Sequence, residues 1–365
     1  MRCARAKGEL TAVSASKDPR AVAVVELDVP AAEPDSGGSG WRRNGDKDGG
    51  FQYSNARGEP IRGKSHLARI ERLAIPPAWT DVRISTTAGA DLQATGYDAA
   101  GRKQYVYHPD FVARQAERKF KRMRRFFDAL PTMRDTTSRH LGAETRPVEL
   151  RVMATLVRLI NECYFRVGSE EYTRRHLTYG VTTLLKSHVR MDDGTLIFSY
   201  KGKKGVRQRH VIADEKLLAI VRQLMELPGK RVFQYYDEHD ELRAANGHDL
   251  NAYIRATMGK GLSAKDFRTW AGTLPAAQIL SEIGPAETET QAKRNVVETV
   301  KQVAEQLGNT PAVARATYIS PVLFEKYMEG KTLEGYTRRA ERSIKAQQLD
   351  HVPEELALVR LLGLT

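Results

Sequence analysis

Two cysteines in 365 residues, Cys3 and Cys163, are too few for a disulfide framework or a four-ligand zinc site. Long apolar runs are missing too. The stretch from Ala21 to Val25 is far shorter than a signal-peptide core or a bilayer-spanning helix, and no other uninterrupted run approaches spanning length. The expectation is therefore a soluble, cytoplasmic protein with no membrane partner. No His-Glu-x-x-His helix and no metal-type carboxylate cluster occurs, so no metal or other cofactor is expected. Negative charge is in short supply as well. Against 58 Lys and Arg stand 45 Asp and Glu, and the resulting net charge of +13 favours a polyanionic partner, most commonly nucleic acid.

The length exceeds one typical domain, and two domains plus tails is the default. Residues 1–50 are rich in Gly, Ser, Asp, Ala and Lys around Ser36-Gly37-Gly38-Ser39-Gly40 and read as a disordered tail. Residues 51–113 then read as a small mixed-sheet domain. Leu67, Ile70 and Leu73 mark a helix that Pro76-Pro77 ends, followed by strands at Val82-Arg83-Ile84, at Leu92-Gln93-Ala94 and from Arg102 to His108. The last strand is basic and carries Tyr105 and Tyr107 on one face. Residues 114–336 form the larger, mainly helical domain. Ala116, Phe120, Met123 and Phe127 define a helix whose other faces hold the unbroken positive run Arg118 to Arg125, a candidate phosphate-binding face. A polar connection is expected over 131–144. Val152, Leu156, Leu159 and Cys163 then mark a buried helix, with Arg166 beside Gly168 at its end. Strand-like runs over 181–191, 195–200 and 206–212, turned by Asp193-Gly194 and by Gly202 to Gly205, predict a three-stranded antiparallel sheet with Lys203 at a hairpin tip. Ser263 caps a segment in which Lys265 and Arg268 lie one turn apart and share a face. Residues 337–365 read as a charged helical tail, and no internal repeat is visible. The fold class is thus α+β.

The stretch from Leu307 to Gly330 holds the candidate chemistry. Gly308 ends one helix, Thr310-Pro311 starts another and Ser320-Pro321 a third, which leaves Tyr318 at a break between helices. Attack on a phosphodiester needs a nucleophile, positive groups on the non-bridging oxygens and an acid for the departing oxygen. In chain order the sequence offers Arg166, Lys203, Lys265, Arg268 and Tyr318. Taken singly, each has an ordinary structural reading: arginines capping helix carbonyls, a solvated hairpin lysine, one of fourteen tyrosines.

Jointly, Phe165-Arg166-Val167-Gly168, Tyr200 to Lys203, Lys265-Asp266-Phe267-Arg268-Thr269 and Leu307 to Tyr318 resemble the type IB DNA topoisomerases, in particular their compact poxvirus-like bacterial branch. Leu73 to Trp79 and Gly101 to Pro109 are similar to that group's small clamp domain. The resemblance implies a C-shaped clamp acting as a monomer on double-stranded DNA in the bacterial nucleoid. It also implies cleavage through a 3′-phosphotyrosyl bond to Tyr318 and religation, without ATP or metal. Arg166, Arg268 and Asn309 would hold the non-bridging oxygens, and Lys203 with Lys265 would protonate the leaving oxygen. Arg102, Gln104, Tyr105 and Tyr107 would contact DNA near the cleavage site, and Tyr172 would do so in the major groove. Asn309 departs from the older family pattern, which has histidine there; its amide can donate the same hydrogen bond without charge.

Two alternatives stay open on sequence alone. Tyrosine site-specific recombinases use the same Arg, Lys, Arg, Tyr logic, but usually carry histidine where this chain has Lys265 and near Asn309, and they lack the small domain. A non-catalytic DNA-binding protein that has kept the fold is suggested by Asn309, and the presence of every other group argues against it.

Overall fold

The computed structural model of the chain describes residues 2–5, 40–46, 48–142, 148–348 and 350–364. These form two compact units, one within residues 12–119 and one comprising 120–365 with the N-terminal strand.

The smaller unit is built on a five-stranded sheet of order β3-β2-β4-β5-β6, with β2 Trp41–Asp46, β3 Gly50–Ser54, β4 Thr80–Ile84, β5 Leu92–Tyr97 and β6 Lys103–Tyr107. Every pairing is antiparallel, so the expected mixed sheet is corrected to an antiparallel one. Helix α1, Lys64–Arg72, buries Ile70 with Trp41, Trp79, Val82, Ile84, Ala94 and Val106 in its core. The β2–β3 hairpin starts inside the segment read as a tail; residues 6–39 of that segment lie outside the described residues. Trp41 is the physical reason, since it is buried in the core of the unit. On the same strand, Arg43 donates to the carbonyls of Pro76, at 3.1 Å, and Trp79.

Helix α2, Pro109–Gly142, runs straight through Pro131 and through the expected polar connection; the part of it over 143–144 lies outside the described residues. Proline removes one backbone bond. Leu130, Met133 and Leu141, all buried in the larger core, keep the helix going regardless. Helix α3, Glu149–Cys163, is the centre of that core, with Val152, Leu156 and Leu159 fully buried. After α4, Glu170–His176, the expected strand over 181–191 is mostly two 3-10 turns, and only β7, Val189–Asp192, is extended. The amides there are used elsewhere: Val181 N donates to Arg166 O and Lys186 N to Lys230 O. Strands β8, Thr195–Lys201, and β9, Arg207–Ala213, complete the antiparallel sheet, and β1, Arg2–Arg5, adds a fourth strand on β9. The β7–β8 turn has positive φ at both Asp193 and Gly194, as a type I′ turn demands.

The rest of the larger unit is helical apart from the small β10–β11 hairpin, Gln234–Tyr236 and Leu242–Ala244. The helices are α5 Glu215–Glu226, α6 Gly247–Met258, α7 Ala264–Ile283, α8 Glu289–Leu307, α9 Pro311–Thr317, α10 Pro321–Met328, α11 Glu334–Gln347 and α12 Pro353–Leu361. The last two are not a tail. Ala340, Leu356, Ala357, Leu358 and Val359 belong to the main core, and buried Glu355 pairs with Arg134 of α2 at 2.6 Å.

Candidate active site

Helix α3 is stopped by Tyr164 in the left-handed conformation, φ 59°, which turns the chain so that Arg166 follows directly. Backbone bonds from Val181 N to Arg166 O, 2.7 Å, and from Thr182 N to Val167 O, 2.8 Å, hold the turn. A Cβ at Gly180 would lie 2.6 Å from Arg166 O, so only glycine permits this approach. The half-buried Arg166 guanidinium donates through Nη2 to Gly308 O at 2.9 Å and to Asn309 Oδ1.

Arg268 reaches the same corner from α7. It donates to Tyr164 O and to Leu307 O, both at 2.9 Å, and is only 6 % exposed. Both partners are carbonyls, so its charge is not cancelled by a carboxylate. Two arginines therefore brace the corner Leu307-Gly308-Asn309, which exists because Gly308 ends α8 at φ 61°. With its Oδ1 taken by Arg166, the Asn309 amide must present Nδ2 as a donor, and that buried nitrogen has no partner. Arg268 Nε is likewise buried and unpartnered.

Thr310 caps α9 by accepting from Val313 N, and seven residues of helix bring Tyr318 to its end. Its ring lies 4.8 Å from the Arg268 guanidinium carbon. The start of α10 departs from expectation: Ser320 makes no side-chain cap, and its N–H donates instead to Thr273 Oγ1 at 3.1 Å. The same hydroxyl donates to Tyr318 O at 3.1 Å. Next to it on α7, Gly272 packs so closely that a Cβ would sit 2.5 Å from Tyr318 O. Gly272 and Thr273 were not singled out from sequence. A glycine inside an otherwise helical, apolar segment was the available signal.

Lys203 stands exposed in a 3-10 turn at the β8–β9 tip and lines a narrow cleft with Arg166, Tyr164, Tyr200 and Gln208. Lys265 and Arg268 lie one turn apart on α7; Lys265 is exposed in its first turn, whereas Arg268 is buried. The start of α7 is fixed by Asp266, which accepts from Ser263 N and Ser263 Oγ and pairs with Arg122 at 3.2 Å. Arg166, Arg268, Asn309 and Tyr318 thus converge, with Lys203 on a wall shared with Arg166. Tyr172 stays apart from these contacts, 41 % exposed on α4. Guanidiniums and an amide donor around a tyrosine can stabilise charge on phosphate oxygens while the phenol attacks.

The description "Eukaryotic DNA topoisomerase I, catalytic core" fits residues 108–345, and "Bacterial DNA topoisomerase IB, N-terminal domain" fits residues 50–98. The DNA topoisomerase 1B of Acanthamoeba polyphaga mimivirus is 32 % identical over 292 residues, covering 78 % of this chain and 86 % of that protein. The chain belongs to the type IB DNA topoisomerases. More distant relatives are the DNA topoisomerase 1B of Vaccinia virus (strain Copenhagen), 19 % identical over 78 % of this chain and 88 % of that protein, and the DNA topoisomerase 1 of Rabbit fibroma virus (strain Kasza), 21 % identical over 70 % and 80 %.

In the smaller unit of the topoisomerase, one carboxylate organises the strand singled out from sequence. Asp98 accepts from Arg102 Nε at 2.7 Å and from Gln104 Nε2 at 3.0 Å, and the Arg102 guanidinium holds its carboxyl below the usual range. Tyr105 and Tyr107 stack at 6.0 Å on one face of β6, and burial pushes the Tyr107 phenol up. The positive run of α2 is a different matter. Arg122 pairs with Asp266, Arg124 with Asp128 and the Leu364 carbonyl, and Arg125 donates to Lys260 O. These three arginines help to tie the larger unit together. Among the described residues, no helix is long and apolar enough to cross a membrane, and no group of three His, Cys, Asp or Glu is placed to hold a metal.

Proposed function

We propose that this topoisomerase relaxes supercoiled double-stranded DNA by transesterification, as a monomer acting on the bacterial nucleoid in the cytoplasm. The phenolic oxygen of Tyr318 attacks the scissile phosphorus and gives up its proton to water. A bond to phosphorus forms on the tyrosine as the bond to the 5′-oxygen breaks, and the departing oxygen takes a proton from Lys203, assisted by Lys265. The products are a 3′-phosphotyrosyl linkage and a 5′-hydroxyl. The phosphodiester energy is kept in that linkage, so the free end can swivel and religate without ATP. Arg166, Arg268 and the Asn309 amide hold the non-bridging oxygens, which is charge stabilisation built from cations and dipoles, and the proposal calls on no metal or other cofactor.

The observation that carries this reading is Arg268 beside the Tyr318 ring, with the unpartnered Asn309 Nδ2 and Arg268 Nε on the same braced corner. One chain supplies every group, which supports a monomer. Arg102, Gln104, Tyr105, Tyr107 and Tyr172 are proposed as contacts to DNA flanking the scissile phosphate, with the phosphate contacts making affinity strongly salt-dependent. The test is relaxation of negatively and positively supercoiled plasmid in EDTA without nucleotide. Tyr318→Phe should abolish relaxation and the covalent adduct while leaving DNA binding nearly intact. Persistent relaxation by that variant would refute the proposal.

A further inference from the structure

The inner face of the β8–β9 hairpin is not the uniform apolar surface that packing alone would favour. Leu196, Phe198 and Ile212 are joined there by Tyr200, Gln208 and His210, all buried. His210 is only 2 % exposed and stacks on Phe165 with ring centres 4.0 Å apart and planes 24° from parallel. A phenylalanine would fill that place as well, and burying an imidazole is unfavourable unless its nitrogens find partners. One nitrogen faces Tyr200: His210 Nε2 and the Tyr200 hydroxyl are 3.4 Å apart, a contact slightly longer than an ordinary hydrogen bond.

Tyr200 lines the cleft with Arg166 and Lys203 and precedes the tightest point of the hairpin by two residues. There Gly202 N donates to Val206 O at 2.8 Å, and a Cβ on Gly202 would lie 2.8 Å from Gln208 Cγ. The neighbouring Lys201 carbonyl accepts from Tyr179 N. The neck from which Lys203 projects is thus held by backbone bonds and by the close approach of Gln208, and the Tyr200–His210 contact lies on the buried face of the same two strands.

We infer that Tyr200 and His210 are a positioning pair for Lys203, acting on protonation of the leaving oxygen. This rests on the reading of Lys203 as the acid. The alternative is that the pair serves packing only. That alternative makes a different forecast, because Phe165 adjoins Arg166 and also stacks on Tyr200, at 5.9 Å. A loosened stack would disturb Arg166 as well, and a better leaving group does not replace charge stabilisation on the non-bridging oxygens.

The experiment uses Tyr200→Phe and His210→Phe, which keep the rings and delete the hydroxyl or the nitrogen. Single-turnover cleavage is measured on an ordinary duplex and on one with sulfur at the bridging 5′ position, whose thiolate departs without an acid. Each variant should cleave the ordinary duplex about tenfold more slowly, the size of one lost hydrogen bond, and the sulfur duplex at the wild-type rate. His210→Gln, which keeps a hydrogen-bonding group, should cleave faster than His210→Phe. Slow cleavage of both duplexes, or no slowing on the ordinary one, overturns the inference. Lys203→Ala is run alongside. If it is not rescued by sulfur, the acid assignment fails and the inference falls with it; if it is rescued and the two Phe variants are not, the pair alone is wrong. Should His210→Phe not fold, Tyr200→Phe carries the test, since it removes a single oxygen.

Discussion

Gly272→Ala sets two effects of opposite sign against each other. In the middle of α7, alanine is the better helix former by about 1 kcal/mol, so local propensity forecasts a more stable protein. The packing forecasts a damaged nucleophile. An alanine Cβ would stand 2.5 Å from Tyr318 O and 2.8 Å from both Tyr318 C and Tyr318 Cβ. Ordinary contact begins near ~3.5 Å, so the Tyr318 backbone must retreat by about 1 Å. It cannot do so freely, because Thr273 Oγ1 is bonded at 3.1 Å to Tyr318 O and at 3.1 Å to Ser320 N. Misplacing a reacting group by about 1 Å costs on the order of a hundredfold in rate. Single-turnover cleavage at saturating enzyme should therefore fall about a hundredfold. Non-covalent DNA binding should be retained, and bridging sulfur should give no rescue, because the displaced group is the nucleophile and not the acid. A folded Gly272→Ala enzyme that cleaves at the wild-type rate would refute the argument.

Arg268→Ala should slow cleavage on the order of a hundredfold or more, as for loss of an oxyanion donor, and Asn309→Ala by less, because an amide carries no charge; equal losses in single-turnover assays would show the roles to be misassigned. Lys203→Ala should be severely slow on ordinary DNA and largely rescued by bridging sulfur, whereas Arg166→Ala and Arg268→Ala should not be rescued. Away from the site, Arg134→Met should destabilise the fold by about 3 kcal/mol in urea melts, since it leaves the buried Glu355 carboxylate without its cation. Burial by itself would push the Glu355 carboxyl up, but His351 and Arg134 hold it below the usual carboxylate range. Its contribution to stability is thus present above the unfolded-state carboxylate pKa and drains away as pH falls through the lowered folded value, so Glu355→Gln should flatten the acid limb of the stability profile measured by thermal melts.

Whatever depends on neighbours within a turn was legible in the chain. Thr310-Pro311 starts a helix, Gly308 ends one, Gly202 to Gly205 turn a hairpin, and these signals fix where Tyr318, Asn309 and Lys203 stand along the sequence. The order of the site residues and the family they point to followed from the same local motifs. Local rules misled where burial outweighed them. Pro131 reads as a helix end, yet Leu130 and Met133 are worth more in the core than the one bond proline removes. The composition of residues 1–50 reads as disorder, yet Trp41 supplies enough apolar surface to hold a strand. The contacts that make a site of these residues were decided only in three dimensions. Arg166 meets Asn309 across 143 positions, Arg268 meets Leu307 across 39, and Thr273 meets Tyr318 across 45. No periodicity encodes such pairs, because each depends on how α3, α7 and α8 pack around one core. That packing places two arginine charges, an amide donor and a glycine without a side chain around one tyrosine.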